Sequence, residues 1–147
     1  MPAARHGGPG RFDGTPHTIL IVDDDASLRA ALESVLVPLG YRVRTAADGD
    51  AAYALLAAEP ADAILLDVQL PGMSGLALNL ALVLRWPELE GRIAFMTGDA
   101  DAEDVHLWLE WGRHTTIRKP FSFHQIVDWL ASVLQAPERA ATEHRHA

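Results

Sequence analysis

Five short apolar runs rich in β-branched residues alternate with five longer segments of helical spacing, and few folds accept that order. The runs are Thr18 to Val22, Arg42 to Thr45, Ala63 to Leu66, Arg92 to Met96 and Thr115 to Arg118. After them come Leu28, Leu32, Val35 and Leu36; Ala51, Leu55 and Leu56; Leu76, Leu80, Val83 and Leu84; Val105, Trp108 and Leu109; and Ile126, Leu130, Val133 and Leu134. Parallel strands need crossover connections, and those crossovers are right-handed. Five successive βα units therefore predict an α/β domain: a doubly wound, parallel, five-stranded sheet with helices on both faces. The first, third and fourth runs are almost wholly apolar, as befits strands covered on both sides. Gly40 and Gly112 stand where helix C-caps are expected, and Pro60, Pro71, Pro87 and Pro120 fall in connections. Pro38 is tolerable near the end of the first helix only because the Gly40 stop follows it.

The chain is 147 residues long, enough for one such domain with a core of its own. Residues 1–17 hold four glycines and three prolines with almost no large apolar group, and are expected to form a flexible arm. Residues 135–147 are expected to form a flexible tail, leaving 18–134 as the folded domain. No cysteine is present, which excludes disulfide scaffolds, thiolate metal sites and cysteine nucleophiles. Residues 18–134 carry 17 acids and 8 bases, so the net charge of −8 belongs to the domain and not to its ends. Direct nucleic-acid binding and adhesion to anionic membranes both depend on accumulated basic charge and are not expected. The arm lacks the apolar stretch of a signal peptide, and no apolar run approaches the ~18 residues of a membrane helix, so a soluble, cytoplasmic protein is expected.

In a doubly wound sheet, ligand chemistry gathers at the carboxyl ends of the strands. The first run leads into Asp23, Asp24 and Asp25, and the third ends in Asp67, followed by Val68-Gln69-Leu70-Pro71-Gly72. The fourth ends in Thr97-Gly98, and the fifth in Lys119-Pro120. Converging carboxylates repel one another unless a hard cation sits between them, and an all-oxygen donor set favours Mg²⁺ or Mn²⁺ over zinc. Asp25 or Ser27 has the further task of capping the first helix. Lys119 is the one lysine beside eleven arginines. A compact ammonium kept in that position points to a geometry that a planar guanidinium would not fit. Metal, lysine and hydroxyl together make a phosphoryl-transfer constellation.

The segments ILIVDDD, LLDVQLPGMSG, MTGDAD and IRKPF, in that order, resemble the response-regulator receiver domains of two-component signalling over about Thr18 to Leu134. The resemblance implies a flavodoxin-like strand order 2-1-3-4-5 and a domain that catalyses only its own phosphorylation and dephosphorylation. It implies that Asp67 is the phosphoacceptor and that Asp24 binds Mg²⁺ directly while Asp23 acts mainly through bound water. The backbone carbonyl of Gln69 would be a further metal ligand, Thr97 the switch hydroxyl and Lys119 the cation on the phosphoryl oxygens. A cis peptide between Lys119 and Pro120 is also implied. The partners would be a histidine kinase or a histidine phosphotransfer protein, and a downstream protein bound on the face of the fourth helix, fifth strand and fifth helix. The domain would then be a stand-alone regulator, or a receiver excised from a larger regulator or hybrid kinase.

Some positions depart from the family pattern or fall where the family varies. Thr116 stands three residues before the lysine, where an aromatic switch residue is usual. Trp108 and Trp111 lie on the expected fourth helix, where they could replace part of that contact or form a partner or dimer patch. Gln69 and Asp99 occupy positions that in this family tune attack of water on the phosphoryl group. Two other readings compete. A Mg²⁺-dependent hydrolase with an aspartyl nucleophile would need a second acid where Gln69 stands, and an inactive pseudo-receiver would bind its partner constitutively.

Overall fold

The computed structural model describes residues 14–98 and 114–134. Five parallel strands form one sheet: β1 (Thr18–Val22), β2 (Arg42–Ala46), β3 (Ala63–Asp67), β4 (Ile93–Thr97) and β5 (Thr115–Arg118), in the order β2-β1-β3-β4-β5. That is the order and direction expected. β3 and β4 each run one residue beyond the apolar stretch, so Asp67 and Thr97 are themselves the last residues of their strands.

Side chains alternate along each strand and divide the core in two. On one side Ile19, Ile21, Leu65, Met96 and Ile117 pack against α1 (Ala26–Leu36) and the C-terminal helix α4 (Phe123–Leu134). On the other, Leu20, Val22, Leu66 and Phe95 pack against α2 (Gly49–Ala58) and α3 (Gly75–Arg85). Every residue of β1, β3 and β4 is buried, as a sheet covered on both faces requires. β2 is one edge of the sheet, where Arg42 and Arg44 both pair with Glu59 at 3.0 and 2.8 Å. Charge on an edge strand discourages pairing with another chain.

Helix ends follow their cap chemistry. Asp25 caps α1, its carboxylate accepting from the N–H groups of Ser27 and Leu28. Asp48 caps α2 by accepting from Ala51, and the Ser74 hydroxyl caps α3 by accepting from Ala77. After α1 the chain makes one 3₁₀ turn, Val37–Leu39, that holds Pro38, and Gly40 closes it at φ +103°. Between β3 and α3, Gln69–Leu70 and Met73–Ser74 form a two-residue antiparallel ribbon around Pro71-Gly72. Gly72 has φ +77°, the conformation that the third position of a type II turn demands.

Two expectations need correction. Leu80 and Leu84 were expected on the inner face of the third helix, yet they are 56% and 82% exposed, and α3 buries Gly75, Leu78, Asn79 and Leu82 instead. The reason is that α3 is apolar on every side, so periodicity cannot choose between its faces. The arm also ends earlier than residue 17: His17 is buried and its carbonyl accepts from the N–H of Arg42, extending the β1–β2 ladder. The segment expected as the fourth helix, with Val105, Trp108, Leu109, Trp111 and Gly112, lies outside the described residues, as do Asp99 and the tail.

Candidate functional site

Strand alternation assembles the site. Asp23 continues the series Ile19, Ile21; Asp67 continues Ala63, Leu65; Lys119 continues Ile117. All three series point to the α1–α4 side, so an acid, a second acid and an ammonium emerge together from the carboxyl edge of the sheet. The cleft there has a volume of about 570 Å³ and is lined by Asp23, Asp24, Asp25, Asp67, Gln69, Leu70, Pro71, Gly98 and Lys119.

The acids are held in place by the backbone around them. Asp23 is fully buried; its Oδ1 accepts from the N–H of Asp25 at 2.9 Å and its Oδ2 from Lys119 Nζ at 2.9 Å. Asp67 is buried, with Oδ1 accepting from the N–H of Gln69 at 3.1 Å and Oδ2 facing Lys119 Nζ at 3.5 Å. Asp24 is exposed at the mouth. One carboxylate oxygen from each of Asp23, Asp24 and Asp67 lies within 4.8 Å of the others, the arrangement of a hard-cation site. The Lys119–Pro120 peptide is cis, as the resemblance implied.

Burial pushes the Asp67 carboxyl up to about 6; the Asp23 charge adds to the rise, while the Gln69 N–H and Lys119 oppose it. Burial works against the charge on Lys119, but its hydrogen bond to Asp23 and the two carboxylates outweigh that and hold its pKa above the usual lysine value. The site is thus an ionisable buried carboxyl beside a fixed cation.

Thr97 lies apart from this group. It shares the alternation of Ile93 and Phe95, which pack on the α2–α3 side, and it does not line the cleft. It is fully buried, and its Oγ1 has no hydrogen-bond partner among the described residues. Thr116 is exposed on β5, its hydroxyl donating to the His114 carbonyl at 3.4 Å.

Two residues of the site were not singled out from sequence. Arg29 donates from Nη1 to the backbone carbonyl of Asp23 at 2.8 Å and so braces the β1–α1 connection. Gly75 packs so closely beneath the loop after β3 that a methyl group there would overlap the carbonyl oxygen of Asp67, and its own N–H donates to the Val68 carbonyl at 2.7 Å. The Pro-Gly turn and the Ser74 cap hint that α3 starts near there, but the close backbone approach has no sequence signature.

Fold and cleft define a doubly wound α/β domain with an acidic, lysine-closed site at its strand ends. Residues 19–131 match the response regulator receiver domain family, and the chain belongs to that family of two-component signalling domains. It is 36% identical over 119 residues to the TorCAD operon transcriptional regulatory protein TorR of Escherichia coli O157:H7, covering 81% of this chain and 50% of that protein. It is 34% identical over 126 residues to the transcriptional regulatory protein AfsQ1 of Streptomyces coelicolor, covering 86% and 55%. The chain spans about half the length of the curated relatives it matches. Among solved structures, a CheY-like response regulator receiver domain protein from Methanospirillum hungatei superposes with a TM-score of 0.74 over 86% of this chain and 99% of that one, at 27% identity. Among the described residues no helix is long and apolar enough to cross a membrane.

Proposed function

We propose that this domain takes a phosphoryl group from a phosphohistidine, carried by a histidine kinase or a histidine phosphotransfer protein, onto Asp67, and that the modified domain presents an altered protein-binding surface. The observation that carries this reading is the convergence of Asp23, Asp24 and Asp67 around Lys119. The donor set suits Mg²⁺, with Mn²⁺ as the chemical alternative; Asp24, Asp67 and the Gln69 carbonyl would ligate it and Asp23 would act through water. When bound, the ion neutralises phosphoryl oxygens.

The chain's own residues do the rest. Above a pKa of about 6 the Asp67 carboxylate is the ionised nucleophile. One of its oxygens bonds to phosphorus as the bond from phosphorus to the donor imidazole nitrogen breaks, and the imidazole leaves with a proton from solvent. The Gln69 N–H orients the carboxylate, and Lys119 steadies the transferring oxygens, so most of the acceleration is positioning and charge stabilisation. The product is an acyl phosphate that water later cleaves. A buried hydroxyl without a partner gains one by turning toward a phosphoryl oxygen, and this assigns Thr97 the switch role. Its movement would carry to the face formed by β5 and the C-terminal helix, where Thr116 is exposed and which Trp108 and Trp111 are proposed to share.

Incubation with Mg²⁺ and acetyl phosphate, followed by intact-mass measurement, tests the reading. One base-labile phosphoryl group is expected on the native chain and none on Asp67→Asn. Lys119→Arg, with charge unchanged, is expected to slow uptake by about tenfold or more, because a planar fork replaces a point charge. Equal uptake by the native chain and Asp67→Asn would overturn the assignment.

A further inference from the structure

The helices α2 and α3 lie side by side on one face of the sheet, and between them they carry just two charged residues, Asp50 and Arg85. On α3, Ala77, Leu80 and Leu84 follow one another at helical spacing along the solvent side, with Leu80 56% and Leu84 82% exposed. Tyr53 of α2, 41% exposed, packs on Trp86 with ring centroids 5.0 Å apart. Met73, 40% exposed, borders the same layer just ahead of α3. Leu80, Leu84, Tyr53 and Met73 thus form one contiguous exposed apolar patch, not scattered single residues, and such a patch marks a surface that another chain covers.

The charges say what fits there. Both helices run in the same direction, so Asp50 marks the N-terminal end of the patch and Arg85 the C-terminal end. The Arg85 guanidinium is held 4.8 Å above the Trp86 ring and is therefore fixed at its end. A two-fold axis through the middle of the patch would lay α3 antiparallel on its copy and set leucine against leucine. The same rotation carries Arg85 of each copy to the end where Asp50 of the other stands, and opposes the helix dipoles. An unrelated partner would have to supply a matched apolar stripe and both charges; a second copy supplies all of them by symmetry. We propose that the α2–α3 face is a two-fold interface between copies of this chain. Asp23, Asp67 and Lys119 belong to the opposite side of the sheet, so this association needs neither Mg²⁺ nor a phosphodonor.

Sedimentation velocity on the full chain, from about 1 to about 100 μM without Mg²⁺, tests the proposal. A monomer–dimer equilibrium is expected. Leu80→Gln combined with Leu84→Gln should raise the dissociation constant by about a hundredfold or more, with an unchanged urea midpoint when both proteins are measured as dilute monomers, because both side chains are exposed in the monomer. Asp50→Arg and Arg85→Asp should each weaken the dimer, and the two together should restore it. A chain that stays monomeric throughout, so that the face serves some other occupant, overturns the proposal. So does a dimer indifferent to the leucine changes, and failure of the charge exchange to restore association overturns the two-fold arrangement.

Discussion

The two sides of the sheet are built from the same alternating strands but end in different chemistry. On the α1–α4 side the strand series terminate in Asp23, Asp67 and Lys119, with the Lys119 ammonium already donating to both carboxylates. Its helices turn Glu33, Ser34, Gln125, Asp128 and Ser132 to solvent. On the α2–α3 side the β4 series ends in Thr97, buried and without a hydrogen-bond partner among the described residues, and the helices above it are mostly apolar on their solvent side as well. The difference teaches that the groups proposed to react already stand together in this fold, whereas the hydroxyl proposed to report the reaction lies on the other side of the sheet.

Gly75 is where the two sides meet, and breaking that contact has the largest expected effect. It begins α3 on one side and lies against the backbone of Asp67 and Val68 on the other. Gly75→Ala would drive a methyl into backbone that cannot move without shifting Asp67. A loss of about 3 to 4 kcal/mol is expected in urea denaturation, together with slower phosphoryl uptake. A stability within about 0.5 kcal/mol of the native chain would mean that α3 and β3 can separate freely.

The α1–α4 side can be separated from the rest by its pH dependence. The folded-state pKa of Asp67, about 6, lies above the 3.8 of a free carboxyl. The folded state therefore binds its proton more tightly than the unfolded chain does. The stability this contributes is fully present below about pH 3.8 and is lost as pH rises through about 6, a decline of up to about 3 kcal/mol without metal. Asp67→Asn should remove that decline and be the more stable form at neutral pH. Denaturation midpoints for both proteins at pH 4, 5, 6 and 7 check this. Parallel curves would show that the Asp67 carboxyl titrates as it does in the unfolded chain.

Legibility in the sequence also divides along these two sides. Asp67, Thr97 and Lys119 could be read because each breaks an apolar run abruptly, and a polar group at the end of a buried strand has few places to go. The inner face of α1 could be read because Glu33 and Ser34 mark its outer one. The face of α3 could not, since Leu76, Leu78, Leu80, Leu82 and Leu84 give hydrophobicity in every direction and only the sheet beneath decides which of them are covered. Arg29 was hidden for another reason: its partner is a backbone carbonyl, which leaves no complementary residue to notice. Gly75 was hidden because what it avoids is also backbone.

The smallest effect expected is also the most discriminating. Thr97→Val keeps the shape and strand preference of the residue but removes a hydroxyl that has no partner in the fold. Leaving a buried hydroxyl unpaired costs about 1 to 2 kcal/mol, so the valine variant should be more stable than the native chain by roughly 1 kcal/mol in urea. Its acids and lysine are untouched, so phosphoryl uptake should persist. The tryptophan fluorescence change that beryllium fluoride and Mg²⁺ are expected to produce in the native chain should be lost, because nothing remains to carry the event across the sheet. Stabilisation with an intact fluorescence response would leave the α2–α3 side with no part in switching, and destabilisation would show that the hydroxyl already has a partner in the resting fold.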